Sequence, residues 1–305
     1  MWNKIIAMDK NKIIIFIFIV LVVAGSVLAW KRPGIFDVFR QKLISLTDRD
    51  FGNSSLVSLD FAKSFQNNET VEEAGKMSSS KNSFWWLNSG GLAVFENGTL
   101  KTNIGNLPDD NFWRTLYAKT NSRDTENGYQ PQNIFRLVTR NKWQDLDQKL
   151  YFKIDKLNLS ASDFRNESNG VLLFNRYYDG DNLYYAGLRV DGDAVIKKKV
   201  DGKYYTLDET QVFTNGQKYD RDKNPNVLPV GDWIGIRSEV KNLDDSTVEV
   251  KLYVDKDNSG NWNLVMDAKD KKGKNGKKLL TDPGYGGIRT DFMDVELRDY
   301  SISKL

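Results

Sequence analysis

Histidine and cysteine are both absent from the 305 residues. That excludes Ser-His and Cys-His catalysis, thiolate nucleophiles, disulfides and metals held by imidazole or thiolate. What remains is the chemistry of carboxylates, tyrosine, lysine and arginine, and of hard cations bound through oxygen. In "DFMDVELRDY", Asp294 and Glu296 stand two apart. On a strand they share a face about 7 Å apart, within the roughly 6.5–9.5 Å that separates the acid and base of an inverting glycosidase. Arg298 continues that face, which equally describes the polar side of a half-buried strand. "DKDNSG" offers Asp255, Asp257 and Ser259 as the opening oxygen ligands of a Ca²⁺ loop. An EF-hand would need a glutamate where Met266 stands, and a hairpin turn explains the stretch as well.

Aromatics supply a second kind of chemistry, since sugar rings stack on aromatic faces while flanking polar groups bond the hydroxyls. The chain has 13 Tyr and 8 Trp. In "NRYYDGDNLYYAGLR", strand alternation puts Tyr184, Ala186, Leu188 and Val190 on one face and Tyr185, Gly187 and Arg189 on the other. The first set reads as core. The second offers an aromatic, a gap and a cation, which Arg176 and Tyr178 of the preceding strand would extend. Cross-strand pairing that only stabilises the sheet is the alternative. Lys197, Lys198 and Lys199 alternate across their strand, so they do not converge on one ligand. "KDKKGKNGKK" (269–278) reads as an exposed loop able to attract anions.

The elements that must carry these residues read as strands. "LAVFENGTL" holds a hairpin signal at Asn97-Gly98, and runs such as "QKLYFKIDKLNL", "GVLLFNRYY", "AVIKKKV", "DWIGIRSEVKN" and "STVEVKLYVD" follow, separated by Gly, Asn and Asp turns. Strand follows strand with no long helical pattern after residue 84, which predicts an antiparallel sandwich. Ahead of it, residues 64–83 are polar and read as an exposed loop or linker, and 31–50 as a juxtamembrane stretch with a short helix over 35–46. Residues 13–30 ("IIIFIFIVLVVAGSVLAW") are uncharged and apolar. They would span about 27 Å as a helix, enough for a bilayer core. This predicts a signal anchor, or a signal peptide cleaved after Ala29, with the body outside the membrane. The net charge is +3, of which residues 1–30 carry +2 (Lys4, Lys10 and Lys12 against Asp9). The body therefore lacks the basic field of a nucleic-acid binder. Asn-x-Ser/Thr sequons occur at Asn53, Asn68, Asn97, Asn158 and Asn166.

The order of these runs resembles the concanavalin A-like lectin/glucanase superfamily, in particular its laminin-G-like branch. The likeness covers about 84–305. It rests on "LAVFENGTL", then "YFKI", then the meander "GVLLFNRYYDGDNLYYAGLRVDGDAVIKKKVDGKYYTL", then "DWIGIRSEVKNLDDSTVEVKLYVDKDNSGNW", and last "GYGGIRTDFMDVELRDYSISKL". It implies a jelly roll that binds or degrades carbohydrate, or binds protein. Family glucanases carry Glu-x-Asp-x-Glu on one strand, where this chain has Asp294-x-Glu296-x-Arg298. "IRSEVKN" resembles the Arg-Ser/Thr-Glu-Leu-Arg strand of family alginate lyases, with Arg237 and Glu239 matching and Lys241 in place of the last arginine; the histidine those lyases use is missing. Laminin-G-like domains often hold Ca²⁺ at the sandwich rim, which makes Asp179, Asp181, Asp191 and Asp193 rim candidates.

The expectation is thus an all-β antiparallel β-sandwich (jelly roll) over 84–305, behind a signal anchor or signal peptide (1–30) and a juxtamembrane segment with a first strand/loop region (31–83). The chain would be membrane-anchored or secreted. It would bind a glycan without catalysis through Arg176, Tyr178, Tyr185 and Arg189. The alternatives are a polysaccharide hydrolase or lyase using Glu239 or the Asp294/Glu296 pair, and an adhesion domain that binds protein.

Overall fold

The computed structural model describes residues 64–276 and 278–305. The apolar run at 13–30, the expected helix over 35–46 and the sequon at Asn53 lie outside the described residues. Among the described residues no helix is long and apolar enough to cross a membrane.

The strands are β1 (Glu69–Glu72), β2 (Trp85–Ser89), β3 (Leu92–Glu96), β4 (Thr99–Thr102), β5 (Ile134–Trp143), β6 (Leu146–Leu157), β7 (Gly170–Asp179) and β8 (Asn182–Arg189). They continue with β9 (Asp193–Val200), β10 (Lys203–Gln211), β11 (Trp233–Asp244), β12 (Thr247–Asp255), β13 (Asn263–Lys271), β14 (Gly284–Asp291) and β15 (Met293–Lys304). They form an antiparallel β-sandwich. One sheet has eight strands in the order β1-β3-β4-β15-β6-β11-β12-β13, the other seven in the order β10-β9-β8-β7-β14-β5-β2. Period-two patterning builds both. In β6, Leu146, Gln148, Leu150, Phe152 and Ile154 turn inward, while Asp147, Lys149, Tyr151, Lys153 and Asp155 alternate with them. The main core joins such inward sets from both sheets, Phe135, Leu137, Leu173, Ile196 and Ile288 from one with Phe152, Ile236, Val250, Leu252 and Leu297 from the other. Each aliphatic or phenyl side chain buried this way is worth roughly 1.5–3 kcal/mol against exposure.

Asn97 (φ 51°) and Gly98 (φ 78°) form the two-residue turn between β3 and β4, where left-handed backbone matches the strand twist. The stretch 64–83 is not a linker. Phe65 is buried against Trp85, Phe95 and Tyr300, and β1 pairs with β3. An edge strand with one inward side chain, Val71, shows little hydrophobic period, which hid it. One nine-residue helix, α1 (Phe112–Thr120), interrupts the strands; the Asn111 side chain caps it by accepting from Trp113 and Arg114 N–H. With Tyr117 its one buried residue, it too leaves a weak pattern.

The interior is not wholly apolar. Lys198 of β9 points inward, and its Nζ lies 2.7 Å from Asp270 Oδ2 of β13, both side chains fully buried. Tyr184 Oη donates to the same carboxylate (2.6 Å), and Asn275 Nδ2 donates to its other oxygen. Lys198 also donates to Lys278 O. Removing one member of such a pair strands a charge in low dielectric. Asp270→Ala should therefore lower the unfolding free energy in urea by about 3–5 kcal/mol, and adding Lys198→Met should restore most of that loss.

Candidate functional site

A groove of about 340 Å³ opens on the outer face of the seven-stranded sheet. Tyr185 of β8 lies against Phe174, its cross-strand partner on β7, and Phe174 meets Tyr177 at a ring separation of 5.1 Å. Tyr204 of β10, 52% exposed, stands edge-on to Tyr185 at 6.1 Å, with Lys199 Nζ 4.9 Å from its ring. Arg136 of β5 and Arg289 of β14 border the same space, and Asn88 and Ser89 of β2 close it. Arg136 Nη1 donates to Ile134 O and Ser89 Oγ. Arg289 Nε donates to Asp291 Oδ2 at 2.7 Å, and its guanidinium carbon lies 6.0 Å from the Tyr185 ring centre. Among the described residues the hydroxyls of Tyr177, Tyr185 and Tyr204 have no hydrogen-bond partner. Burial raises the Tyr185 hydroxyl above the ordinary tyrosine value against the opposing pull of Arg289, and burial likewise raises Tyr177. Both are neutral at physiological pH, able to donate and to accept.

Tyr185 is the one residue of the predicted set that lines this groove. Arg189 shares its strand face, but its guanidinium is engaged by Asp191, Glu209 and Glu167 O. Arg176 and Tyr178 were expected beside Tyr185 and are not there. The register with β8 slips between Asn175 and Asp179, and Arg176 takes a left-handed backbone (φ 48°). A bulge of this kind reverses the alternation beyond it. Arg176 therefore turns into the sandwich and is fully buried, donating to Gln144 O, Leu280 O, Asn242 Oδ1 and Asp145. Tyr178 packs on the main core with its hydroxyl on Asp282 O, and burial, then Asp282, pushes that hydroxyl up to about 12. Tyr177 takes the outward place instead. Of the groove residues missed in the sequence, Arg136 ("IFRLV") interrupts an apolar strand, which is its signal, while Arg289 lies in the glycine-rich "GYGGIRTD" and has none.

The candidate acids lie elsewhere. Asp294 is fully buried and accepts from Gly105 N, Gln132 Nε2 and Asn158 Nδ2, all at 2.8 Å. It ties loops together. The same bond places the Asn158 amide of one sequon inside the fold. Glu296 faces outward on the eight-stranded sheet between Lys153 (3.1 Å) and Lys101 (3.7 Å). Asp155, which shares Lys153 with Glu296, is held above the ordinary aspartate value by burial and then by Glu296. Glu239, on that sheet too, accepts from Arg237 (2.7 Å) and Tyr253 (3.2 Å). The structure thus does not bring Asp294, Glu296 and Glu239 together across one cleft. Asp255 likewise spends its oxygens on protein donors: Ser259 N and Oγ on Oδ1, Gly260 N and Tyr151 Oη on Oδ2. The loop of Asp255, Asp257 and Ser259 is held by these internal bonds, and among the described residues no group of three or more acids is arranged to hold a metal ion. At the rim, Asp179 accepts from Asp181 N and Asn182, and Asp181 pairs with Lys199.

No family model matches the sequence, and no curated protein matches it. Among solved structures, the carbohydrate binding module CBM66 from Bacillus subtilis is similar at 12% identity and a TM-score of 0.45, over 72% of this chain and 95% of that one. A variant of the GH43 protein BlXynB from Bacillus licheniformis is similar at 10% identity and a TM-score of 0.40, over 70% of this chain and 34% of that one. The exoplasmic/lumenal domain of VIP36, in its Ca²⁺/Man-bound form, is similar at 9% identity and a TM-score of 0.38, over 77% and 89%.

With its oxygens already satisfied, Asp255 gains nothing from a cation. The thermal unfolding midpoint should be the same, within about 1 °C, in millimolar Ca²⁺ and in EDTA; a rise of several degrees with Ca²⁺ would overturn this reading of Asp255 unless Asp255→Asn left the rise intact.

Proposed function

We propose that this chain binds a glycan, without catalysis, in the groove of the seven-stranded sheet, on a jelly roll of the concanavalin A-like type. One observation carries the reading: an aromatic floor is ringed by three tyrosine hydroxyls that no described group of the protein satisfies. A sugar offers an apolar ring face and a belt of hydroxyls, which matches an open aromatic surface beside unpaired donors and acceptors. Fully apolar ligands would leave the three hydroxyls unmet at a cost of about 1–3 kcal/mol each. The non-catalytic part of the reading is supported by the groove lining, in which no carboxylate appears, and by Glu239 and Glu296 lying on the other sheet with cations as partners. The apolar run at 13–30 supports display outside the membrane, anchored or secreted.

Tyr204 is the cleanest place to test this, because half of it is exposed and little packing is lost with it. Tyr204→Ala should weaken binding to the best ligand on a glycan array about tenfold, as central aromatic contacts do, with the melting temperature nearly unchanged. Tyr185→Phe, which removes one hydroxyl, should weaken it by a smaller factor. Glu239→Gln and Glu296→Gln should bind as the parent does, and incubation with the ligand should release no reducing ends or unsaturated uronates. Array binding indifferent to both tyrosines would remove the groove from consideration, and sugar release abolished by either glutamine would make the chain an enzyme.

A further inference from the structure

Arg136 and Arg289 are direct cross-strand partners between β5 and β14. Like charges directly opposite one another destabilise an antiparallel pair. The fold offsets this with a single carboxylate: Asp291 accepts from Arg289 Nε at 2.7 Å and lies 3.9 Å from Arg136 Nη2. Lys199 adds a third cation to the groove, and its partner Asp181 sits 3.2 Å away on an exposed rim, outside the lining. Three cations therefore border the groove and no acid does. The free ends of the two guanidiniums are also open. Arg136 Nη2 and both Nη atoms of Arg289 have no hydrogen-bond acceptor among the described residues, and the two side chains keep 29% and 16% of their surface exposed. Burial, and then the neighbouring charge of Arg289, lowers the pKa of Arg136, while against burial Asp291 holds Arg289 above its ordinary value, so the one carboxylate serves chiefly Arg289.

We infer that the sugar bound here is acidic, its ring carboxylate docking on the Arg136–Arg289 pair while the ring lies against Tyr185 and Tyr204. The inference rests on the glycan reading above and narrows it to uronate-type sugars. A carboxylate is a planar pair of acceptors that matches the guanidinium fork, and charge-assisted bonds of this kind are about twice as strong as neutral ones. The low-dielectric sheet surface strengthens them further. A neutral sugar would meet the tyrosines equally well and leave Asp291 as the one carboxylate beside two guanidiniums.

The test is calorimetric titration of the full chain with acidic oligosaccharides (oligogalacturonate, oligomannuronate, hyaluronan fragments) and with the same oligosaccharides after reduction of their carboxyls. The acidic forms should bind about tenfold more tightly than the reduced ones, and the difference should shrink as salt rises from about 0.05 to 0.5 M. Arg289→Gln should bring acidic and reduced forms to the same affinity. Should that variant fail to fold with Asp291 left unpaired, Lys199→Gln, a surface change, should cut the preference about threefold. Equal affinity for acidic and reduced forms in the parent, or a preference unchanged in these variants, would overturn the acidic ligand and leave the glycan reading standing. Binding to neither set would overturn the acidic ligand, and the glycan reading would fall with it if the array of neutral sugars were also silent.

Discussion

A guanidinium is taken into the middle of a protein only where its donors are met, and Arg176 imposes that condition on everything around it. Two backbone carbonyls, Gln144 O and Leu280 O, and the side chains of Asn242 and Asp145 converge on it from the β5–β6 turn, the approach to β14 and the end of β11. To point inward it needs a left-handed residue in the middle of β7. Beside it only glycine fits at 284, where a Cβ would lie 2.6 Å from the Arg176 backbone. The same bulge releases Tyr177 to the outer face. A buried charge, a bulge, a glycine and one wall of the groove are in this sense a single arrangement. Further in, Gln148 donates to Phe174 O and Asn175 Oδ1 and accepts from Tyr300 Oη, so the polar seam continues across the sandwich, with the Asn175 Nδ2 donor left unmet among the described residues.

The two outer faces treat charge in opposite ways. On the eight-stranded sheet, cations and acids are matched within the protein: Arg237 with Asp147 and Glu239, Lys153 with Asp155 and Glu296, and Arg298 over the Trp233 ring at 4.3 Å. Such a surface has little left to offer a ligand. The seven-stranded sheet leaves guanidinium ends and phenol hydroxyls open over an aromatic floor. Residue types alone do not distinguish these faces, since both mix tyrosine with arginine; what separates them is which donors already have acceptors.

Most strands were legible in the sequence because a half-buried strand writes its period into its residues, as β6 and β12 do. The faces of β8 were readable for the same reason: Tyr184, Ala186 and Leu188 enter the main core and Tyr185 the outer cluster. Reading failed where the period is interrupted or absent. The bulge at Asn175–Arg176 inverted the assignment of Arg176, Tyr177 and Tyr178. The edge strand β1 and the glycine-rich β14 carry too few apolar side chains to announce themselves, so Arg289 went unseen. The groove also joins the consecutive strands β7 to β10 to β14 and β5, and β14 sits between β7 and β5 although it lies far from both in the chain. Their juxtaposition is a property of strand order, which local patterns do not encode.

Lys269 and Lys271 sit on β13, the last strand of the eight-stranded sheet, with more lysines in the loop after it, while Asp270 between them is drawn inside to meet Lys198. An outermost strand is a template on which a second chain can add itself. Here that template carries Lys269 and Lys271 outward with Asp267, while its second acid, Asp270, is withdrawn into the interior. A neighbouring copy bringing the same lysines to the same edge would be repelled before its backbone could pair. The inward turn of one carboxylate thus leaves this edge with more lysines than acids, which disfavours its pairing with a second copy of itself.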